Sequence, residues 1–203
     1  MACQKLSFDV IKKAEVPMSR KMLLLSCCAP CSCAVIEKLA QEGRNFTVAF
    51  YNPNIRPEAE YCKRRDENMR LCRLFGVPFV ELEYDPERWR ELVRGHEDDP
   101  ERGPRCGICF KMRLKRVMEY AAAEGYDCVA SVLGVSRYKN LAQVNEAAYA
   151  ASQECGVAYE EVEGRKGGMQ ERRGAMIKAL GLYSQDYCGC KPRLSKSFQE
   201  DSQ

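Results

Sequence analysis

The chain has 203 residues, 45% hydrophobic and 30% charged, which suffices for one sizeable α/β domain and is too short for two. Its formal net charge of +3 permits a basic patch without by itself arguing for nucleic acid. Apolar runs such as 22–25 are far short of the roughly 20 residues that span a bilayer, and 1–21 mixes Asp9, Lys12, Lys13 and Glu15 with apolar residues, unlike a secretory leader, so a cytoplasmic protein without a membrane partner is expected.

The continuously apolar stretch 21–26 predicts a buried strand. Pro30 opens a helix over 31–42, with Val35, Ile36 and Leu39 on its inner face and Gly43 ending it. A second strand over 46–51 leads into the turn Asn52-Pro-Asn-Ile55, then a charged helix over 57–75. A third strand over 77–82 and a helix over 86–93 follow. The polar stretch 95–105, rich in Pro and Gly, is a loop. A helix over 106–124, a strand over 127–133, a helix over 139–155, a short strand over 158–162 and a helix over 169–180 complete the chain.

This alternation implies βαβ units and an open, Rossmann-like parallel sheet of about five strands, one domain over 22–192 between an extension (1–21) and a tail (193–203). Three unusual segments each follow a strand: Ser26-Cys-Cys-Ala-Pro-Cys31, Asn52-Pro-Asn-Ile55 and Gly134-Val-Ser-Arg-Tyr-Lys-Asn140. Open α/β sheets place their ligand crevice at the carboxyl ends of strands, so the metal or ligand site is expected there.

Thirteen cysteines accompany a single histidine, His96, itself in the acidic loop and expected at the surface. In a reducing compartment such cysteines point to metal or redox chemistry, and with one histidine the metal must be held mainly by thiolates: an iron–sulfur cluster or structural zinc. Three groups stand out: Cys27, Cys28 and Cys31; Cys106 and Cys109; Cys188 and Cys190. Cys28 and Cys31 are one helical turn apart at a helix start, as are Cys106 and Cys109, and a helix N-terminus favours thiolates. Gly189 lets the chain turn so that both flanking sulfurs can face one centre. A cubane cluster or a structural zinc takes four thiolates, so seven candidates imply a second metal, or a redox pair, beside the first. Ordinary core thiols are the plain alternative. It is the better reading for Cys62, Cys72, Cys128 and Cys155, which stand singly; Cys33 points away from Cys31, and Cys3 lies in the extension.

The stretches 26–31, 50–57 with Glu60 and Tyr61, 105–110, 136–140 and 180–190 occur in an order and with contents that resemble the cobalamin-independent epoxyqueuosine reductases, QueH. The resemblance covers about 22–190. It implies an adenine-nucleotide-hydrolase-like (HUP-type) α/β fold, a 4Fe–4S cluster, an adjacent mononuclear iron and conversion of epoxyqueuosine to queuosine in the anticodon loop of tRNA. Its metal-site positions fall on Cys27, Cys28, Cys31, Cys106, Cys109, Cys188 and Cys190. The cluster candidates are Cys27, Cys28, Cys106, Cys109, Cys188 and Cys190, and Cys27, Cys31 and Cys188 are catalytic candidates; the division between two metals stays open. Some relatives carry an aspartate at the position of Cys31. The reaction is a two-electron reduction that releases water, so an external electron donor is expected. A cluster would pass electrons singly and the neighbouring iron would act as a Lewis acid.

Asn52, Asn54, Ser136, Lys139 and Asn140 are candidates for bonding the nucleoside, with Asn54, Lys139 and Asn140 also catalytic candidates, against the simpler roles of turn and helix cap. Tyr51, Tyr61, Trp89, Tyr138 and Tyr187 are candidate stacking platforms for unpaired bases, although aromatic residues more often fill cores. Arg64, Arg65, Lys111, Arg113, Lys115, Arg116, Arg165, Lys166, Arg172 and Arg173 are candidate phosphate contacts, or else a solvated surface. Two rivals remain. One is an ATP-using tRNA thiolase or nucleotide hydrolase, whose glycine-rich phosphate loop is replaced here by Ser26–Cys31; the other is a thiolate-zinc RNA-binding protein.

Overall fold

A computed structural model of the chain describes residues 20–190. Most of the expected extension, including Cys3, and the expected tail lie outside the described residues.

Five parallel strands form one sheet in the order β3-β2-β1-β4-β5: β1 Met22–Ser26, β2 Phe46–Phe50, β3 Phe79–Glu81, β4 Cys128–Ser131 and β5 Ala158–Tyr159. The helices are α1 Ala29–Gln41, α2 Glu58–Leu74, α3 Pro86–Leu92, α4 Pro104–Ala123, α5 Leu141–Cys155 and α6 Met169–Ala179. All of β1 is buried, as its unbroken apolar run requires of a strand covered on both faces. Helix α1 packs with α2 and α6, and α4 packs with α5 against β1 and β4.

Three expected strands are markedly shorter than predicted, and the one over 77–82 is confined to Phe79–Glu81. The predicted strand 127–133 ends at Ser131 because Leu133–Val135 forms a single 3-10 turn. The predicted strand 158–162 pairs over Ala158–Tyr159 alone, Cys128 opposite Ala158 and Val129 opposite Tyr159. Beyond it the chain closes back on that turn: a Cβ at Gly164 would lie 2.4 Å from Val135 Cγ2, and Arg165 Nε donates to Gly134 O at 2.5 Å. Glu160 N still donates to Val129 O of β4 at 2.9 Å.

Strand order reverses beside β1: β2 and β3 lie on one side, β4 and β5 on the other. Such a switch point leaves a crevice where the loops leaving neighbouring strands part in opposite directions. Here those loops start at Cys27 after β1, Tyr51 after β2 and Val132 after β4.

Candidate functional site

The crevice is a cavity of about 570 Å³, and all seven grouped cysteines line it. Cys27 and Cys28 occupy the β1–α1 turn, with Cys28 as the N-cap of α1 and Cys31 in its first turn. Cys106 and Cys109 sit in the first two turns of α4, which starts at Gly103-Pro104. Neither helix has an acidic residue in its first turn, but Asp99 Oδ2 accepts from Arg105 N at 2.9 Å at the start of α4, so that end already faces a carboxylate, whereas α1 has no side-chain cap bond and its positive end acts on the nearby thiolates. Among the described residues, the sulfurs of Cys27, Cys28 and Cys31 form the one group of three lying within 4.8 Å of one another, all buried.

The turn that carries this triad is fixed by a buried polar network. Ser26 Oγ lies 2.6 Å from Ser32 Oγ and 2.5 Å from Asn68 Oδ1, Ser32 Oγ donates to Cys28 O at 2.9 Å, and Asn68 Nδ2 donates to Arg64 O at 2.7 Å. Every member has a partner, which is what makes such a network a rigid support.

The third cysteine pair is held by Arg64, 3% exposed. Its Nη1 donates to Cys188 O at 2.8 Å and its Nη2 to Tyr187 O at 3.2 Å, while Nε donates to Glu60 Oε1 at 2.6 Å. Arg56 N donates to Gly189 O at 3.0 Å. Gly189 has φ +98°, and a Cβ there would lie 3.2 Å from Ile55 Cγ2 and 3.3 Å from Arg64 Nη1. Glycine is needed both for the angle and for the space.

Three cations shape the electrostatics. Lys139 Nζ lies 3.7 Å from Cys188 Sγ. Burial opposes its charge, yet the thiolates of Cys188 and Cys27 outweigh that and hold its pKa above the ordinary lysine range. Arg113, 1% exposed, donates to Tyr51 O and to Asn52 Oδ1, and Arg105 donates to His96 O. The thiols divide accordingly. Cys27 is held well below the usual thiol range by hydrogen bonds from Cys28 and Cys31, with help from Lys139 and Arg113. Cys188 is held low by a bond from Cys190, then by the same two cations. Their partners pay the counterpart: Cys28 is pushed up to about 12 by its bond to Cys27, Cys31 and Cys190 rise for the same kind of reason, and burial raises Cys109. The helix N-terminus alone therefore does not set these thiols; packing three of them together makes the first to ionise oppose the next.

The polar candidates separate as well. Asn52 is committed: Nδ2 donates to Ser26 O at 2.9 Å, and Oδ1 receives Arg113. Asn140 caps α5, accepting from Ala142 N at 3.0 Å, and Ser136 Oγ accepts from Tyr138 N at 3.3 Å. All three still line the cavity. Asn54 differs, because its Oδ1 is buried there without a hydrogen-bond partner. Arg105 Nε, Gln185 Oε1 and Trp89 Nε1 share that condition, and of these three only Trp89 is a candidate from the sequence. Buried polar atoms without partners are costly, so a set of them facing one cavity marks places for a ligand. Arg105 and Gln185 both lie in stretches that carry the family resemblance, 105–110 and 180–190, but nothing in those stretches marks them apart from their neighbours.

The candidate nucleic-acid contacts separate by burial and pairing. Tyr51 and Tyr61 are at most 2% exposed and lie outside the cavity lining, and Tyr61 stacks on Tyr84 with centroids 4.0 Å apart; Trp89, 3% exposed, stands in the cavity wall. Arg64 and Arg113 are buried structural arginines. Arg65 pairs with Asp66 and Glu81, Lys115 with Glu154, Arg116 with Glu83 and Arg172 with Glu37, while Arg173 Nε donates to Pro30 O. Arg165 is spent on three carbonyls of the 134–139 segment. Lys111 and Lys166 are exposed. His96 is half-exposed as expected, with Nδ1 2.9 Å from Asp99 Oδ2. Cys62, Cys72, Cys128 and Cys155 lie outside the cavity lining, as does Cys33, whose Sγ is 3.6 Å from Pro30 O. No helix among the described residues is long and apolar enough to cross a membrane.

A model of the family described as epoxyqueuosine reductase QueH matches residues 22–195. Proteins named epoxyqueuosine reductase QueH from Histophilus somni and Haemophilus influenzae are each 42% identical to the chain, over 88% of it and 74% of their own length. Among solved structures, the U34-tRNA thiolase NcsA from Methanococcus maripaludis, with its 4Fe–4S cluster, is similar in fold: TM-score 0.56 at 13% identity, covering 86% of this chain and 62% of that one.

Proposed function

The chain belongs to the epoxyqueuosine reductase QueH family, and from that premise we propose that its thiol-lined cavity holds a 4Fe–4S cluster with an adjacent iron and receives the epoxyqueuosine of a tRNA anticodon loop. The reaction turns an epoxide into an alkene. Two electrons and two protons enter, and the oxygen leaves as water. The metal centres, when bound, supply single-electron transfer and Lewis acidity, which no side chain of this cavity offers.

The observation that carries this reading is the meeting of seven thiols from three distant segments in one cavity, three of them within 4.8 Å of one another. The donor set fits the cofactors: thiolates are the ligands of iron–sulfur clusters, and Lys139 and Arg113 offset the negative charge that such a centre brings. Cys27, Cys28, Cys31, Cys106, Cys109, Cys188 and Cys190 together hold the two centres. Lys139 keeps its ammonium against Cys188 and so fixes the charge of that thiolate. Asn54 Oδ1 and Gln185 Oε1 accept, and Arg105 Nε donates, to the nucleoside, whose entry expels water from between them. An external reductant in the cytoplasm renews the electrons.

Protein purified without oxygen should contain iron and sulfide, show a brown visible spectrum and convert epoxyqueuosine in tRNA to queuosine with a chemical reductant. Colourless zinc protein lacking that conversion would overturn the proposal in favour of a zinc-stabilised RNA-binding protein.

A further inference from the structure

Of the five aromatic residues that the sequence offers as platforms for bases, Tyr51 and Tyr61 are sealed in the core and Trp89, 3% exposed, sits in the cavity wall. The ring of Tyr187 has the Arg64 guanidinium 5.0 Å from its centroid. Tyr138 is left, 75% exposed at the rim of the thiol cavity.

The backbone that presents it is held from two sides. Arg165, after β5, donates to Gly134 O at 2.5 Å, to Ser136 O at 2.7 Å and to Lys139 O at 2.8 Å. Arg102, before α4, donates to Arg137 O at 2.7 Å and to Tyr138 O at 3.2 Å, and its own carbonyl accepts from Gln143 Nε2 at 2.8 Å. Arg102 takes φ +69°, a left-handed conformation that a non-glycine residue rarely adopts. Carbonyls on an exposed loop are ordinarily satisfied by water at no structural cost. Two guanidiniums, one on a strained residue, tie this loop down through five of its carbonyls. What the loop carries shows a use for that rigidity: Lys139 reaches inward to Cys188, and its neighbour Tyr138 stands outward on the rim beside the exposed Arg137.

We propose that Tyr138 is the docking platform for a nucleotide adjoining the modified one, stacking on its base while the modified nucleoside enters the cavity one residue away. This deepens the reading given above and rests on it. An anticodon loop has unpaired bases on either side of the modified position, a single-stranded target suited to an aromatic side chain. Tyr138 thereby selects RNA over free nucleoside, and the Arg102–Arg165 clamp sets the distance between platform and cavity.

The test uses metal-loaded protein and an anticodon stem–loop bearing epoxyqueuosine, with fluorescent 2-aminopurine placed on one or the other side of it. Wild type and Tyr138→Phe should quench one of the two probes and bind alike. Tyr138→Ala should lose the quenching and bind roughly 5- to 150-fold more weakly, the range that one base–aromatic stack confers, with the loss appearing in KM more than in kcat. Arg165→Gln, which keeps the tyrosine but frees its loop, should quench less than wild type. Tyr138→Ala that binds and quenches as wild type does overturns the proposal. So does a Tyr138→Ala defect confined to turnover with a protein reductant and absent with a chemical one, which would make the rim a docking site for the electron donor. A wild-type protein that neither binds nor converts the stem–loop takes both readings down together.

Discussion

Arg64 ties Cys188 to helix α2 across 124 residues of chain, its Nη1 donating to the Cys188 carbonyl at 2.8 Å while Nε pairs with Glu60. Tyr183 Oη closes the arrangement by donating to Glu60 Oε2 at 2.9 Å. The guanidinium is 3% exposed, so its two bonds to the cysteine loop and its ion pair form one buried unit. Arg64→Met leaves the Glu60 carboxylate buried without its cation, and is expected to destabilise the protein by about 3–5 kcal/mol. Denaturant unfolding checks the stability, and iron analysis should show less metal per chain because the loop bearing Cys188 is released.

Gly189 offers a narrower perturbation of the same loop. Gly189→Ala introduces both a strained φ and a close contact with Ile55 and Arg64, for a cost of about 1–3 kcal/mol. Gly43→Ala is the control, since φ is +65° there but a Cβ would meet nothing within 4 Å. Both variants should lose stability in thermal unfolding, and the Gly189 variant alone should lose metal.

Metal loading should release protons. Cys27 and Cys188 are held low and ionise readily in the metal-free protein, whereas Cys28, at about 12, and Cys31 and Cys190, raised as well, still carry protons near neutrality. A metal binding those sulfurs must displace the protons, so its apparent affinity rises as pH rises and falls as pH falls. Competition with a coloured chelator in mildly acidic and mildly alkaline buffers measures this. Affinity independent of pH would mean that the raised thiols are not ligands.

Lys139→Gln removes the cation 3.7 Å from Cys188 Sγ while keeping a polar side chain of similar length. The expected loss is about 10- to 100-fold in metal affinity or turnover, the usual cost of a missing partner behind a metal ligand. Lys139→Arg should recover part of it. Metal titration and steady-state kinetics on the same preparations separate the two effects.

Affinity for tRNA should depend on salt through few side chains. Arg65, Arg116 and Arg172 are paired with carboxylates, whereas Arg137 is exposed at the cavity rim. Arg137→Ala should reduce the slope of log affinity against log salt by about 0.7, the share of one phosphate contact on a single strand, while Arg172→Ala leaves it unchanged. Equal changes for the two variants would place the tRNA elsewhere on the surface.

The order of strands and helices was legible because periodicity, Pro30 and the glycines after helices act over a few residues, and each predicted element stands within a few residues of its expected bounds. The strand ends were less legible: β5 stops early because Arg165 and Gly164 engage the turn 133–135, and no window around 158–162 contains that information. The same limit explains the arginines. Arg64 and Arg116 read alike in a charged stretch, yet one is buried under Cys188 and the other pairs with Glu83 beside solvent.

By itself the sequence determined that thiols would flank the carboxyl ends of parallel strands, because spacing and strand alternation are local properties of the chain. Only the tertiary structure decided which long side chains turn inward to hold those thiols, which aromatic ring stays in water and which polar atoms are left open to a ligand. Those outcomes depend on what packs against each residue from distant segments, and burial and charge pairing are properties of the assembled neighbourhood rather than of the residue.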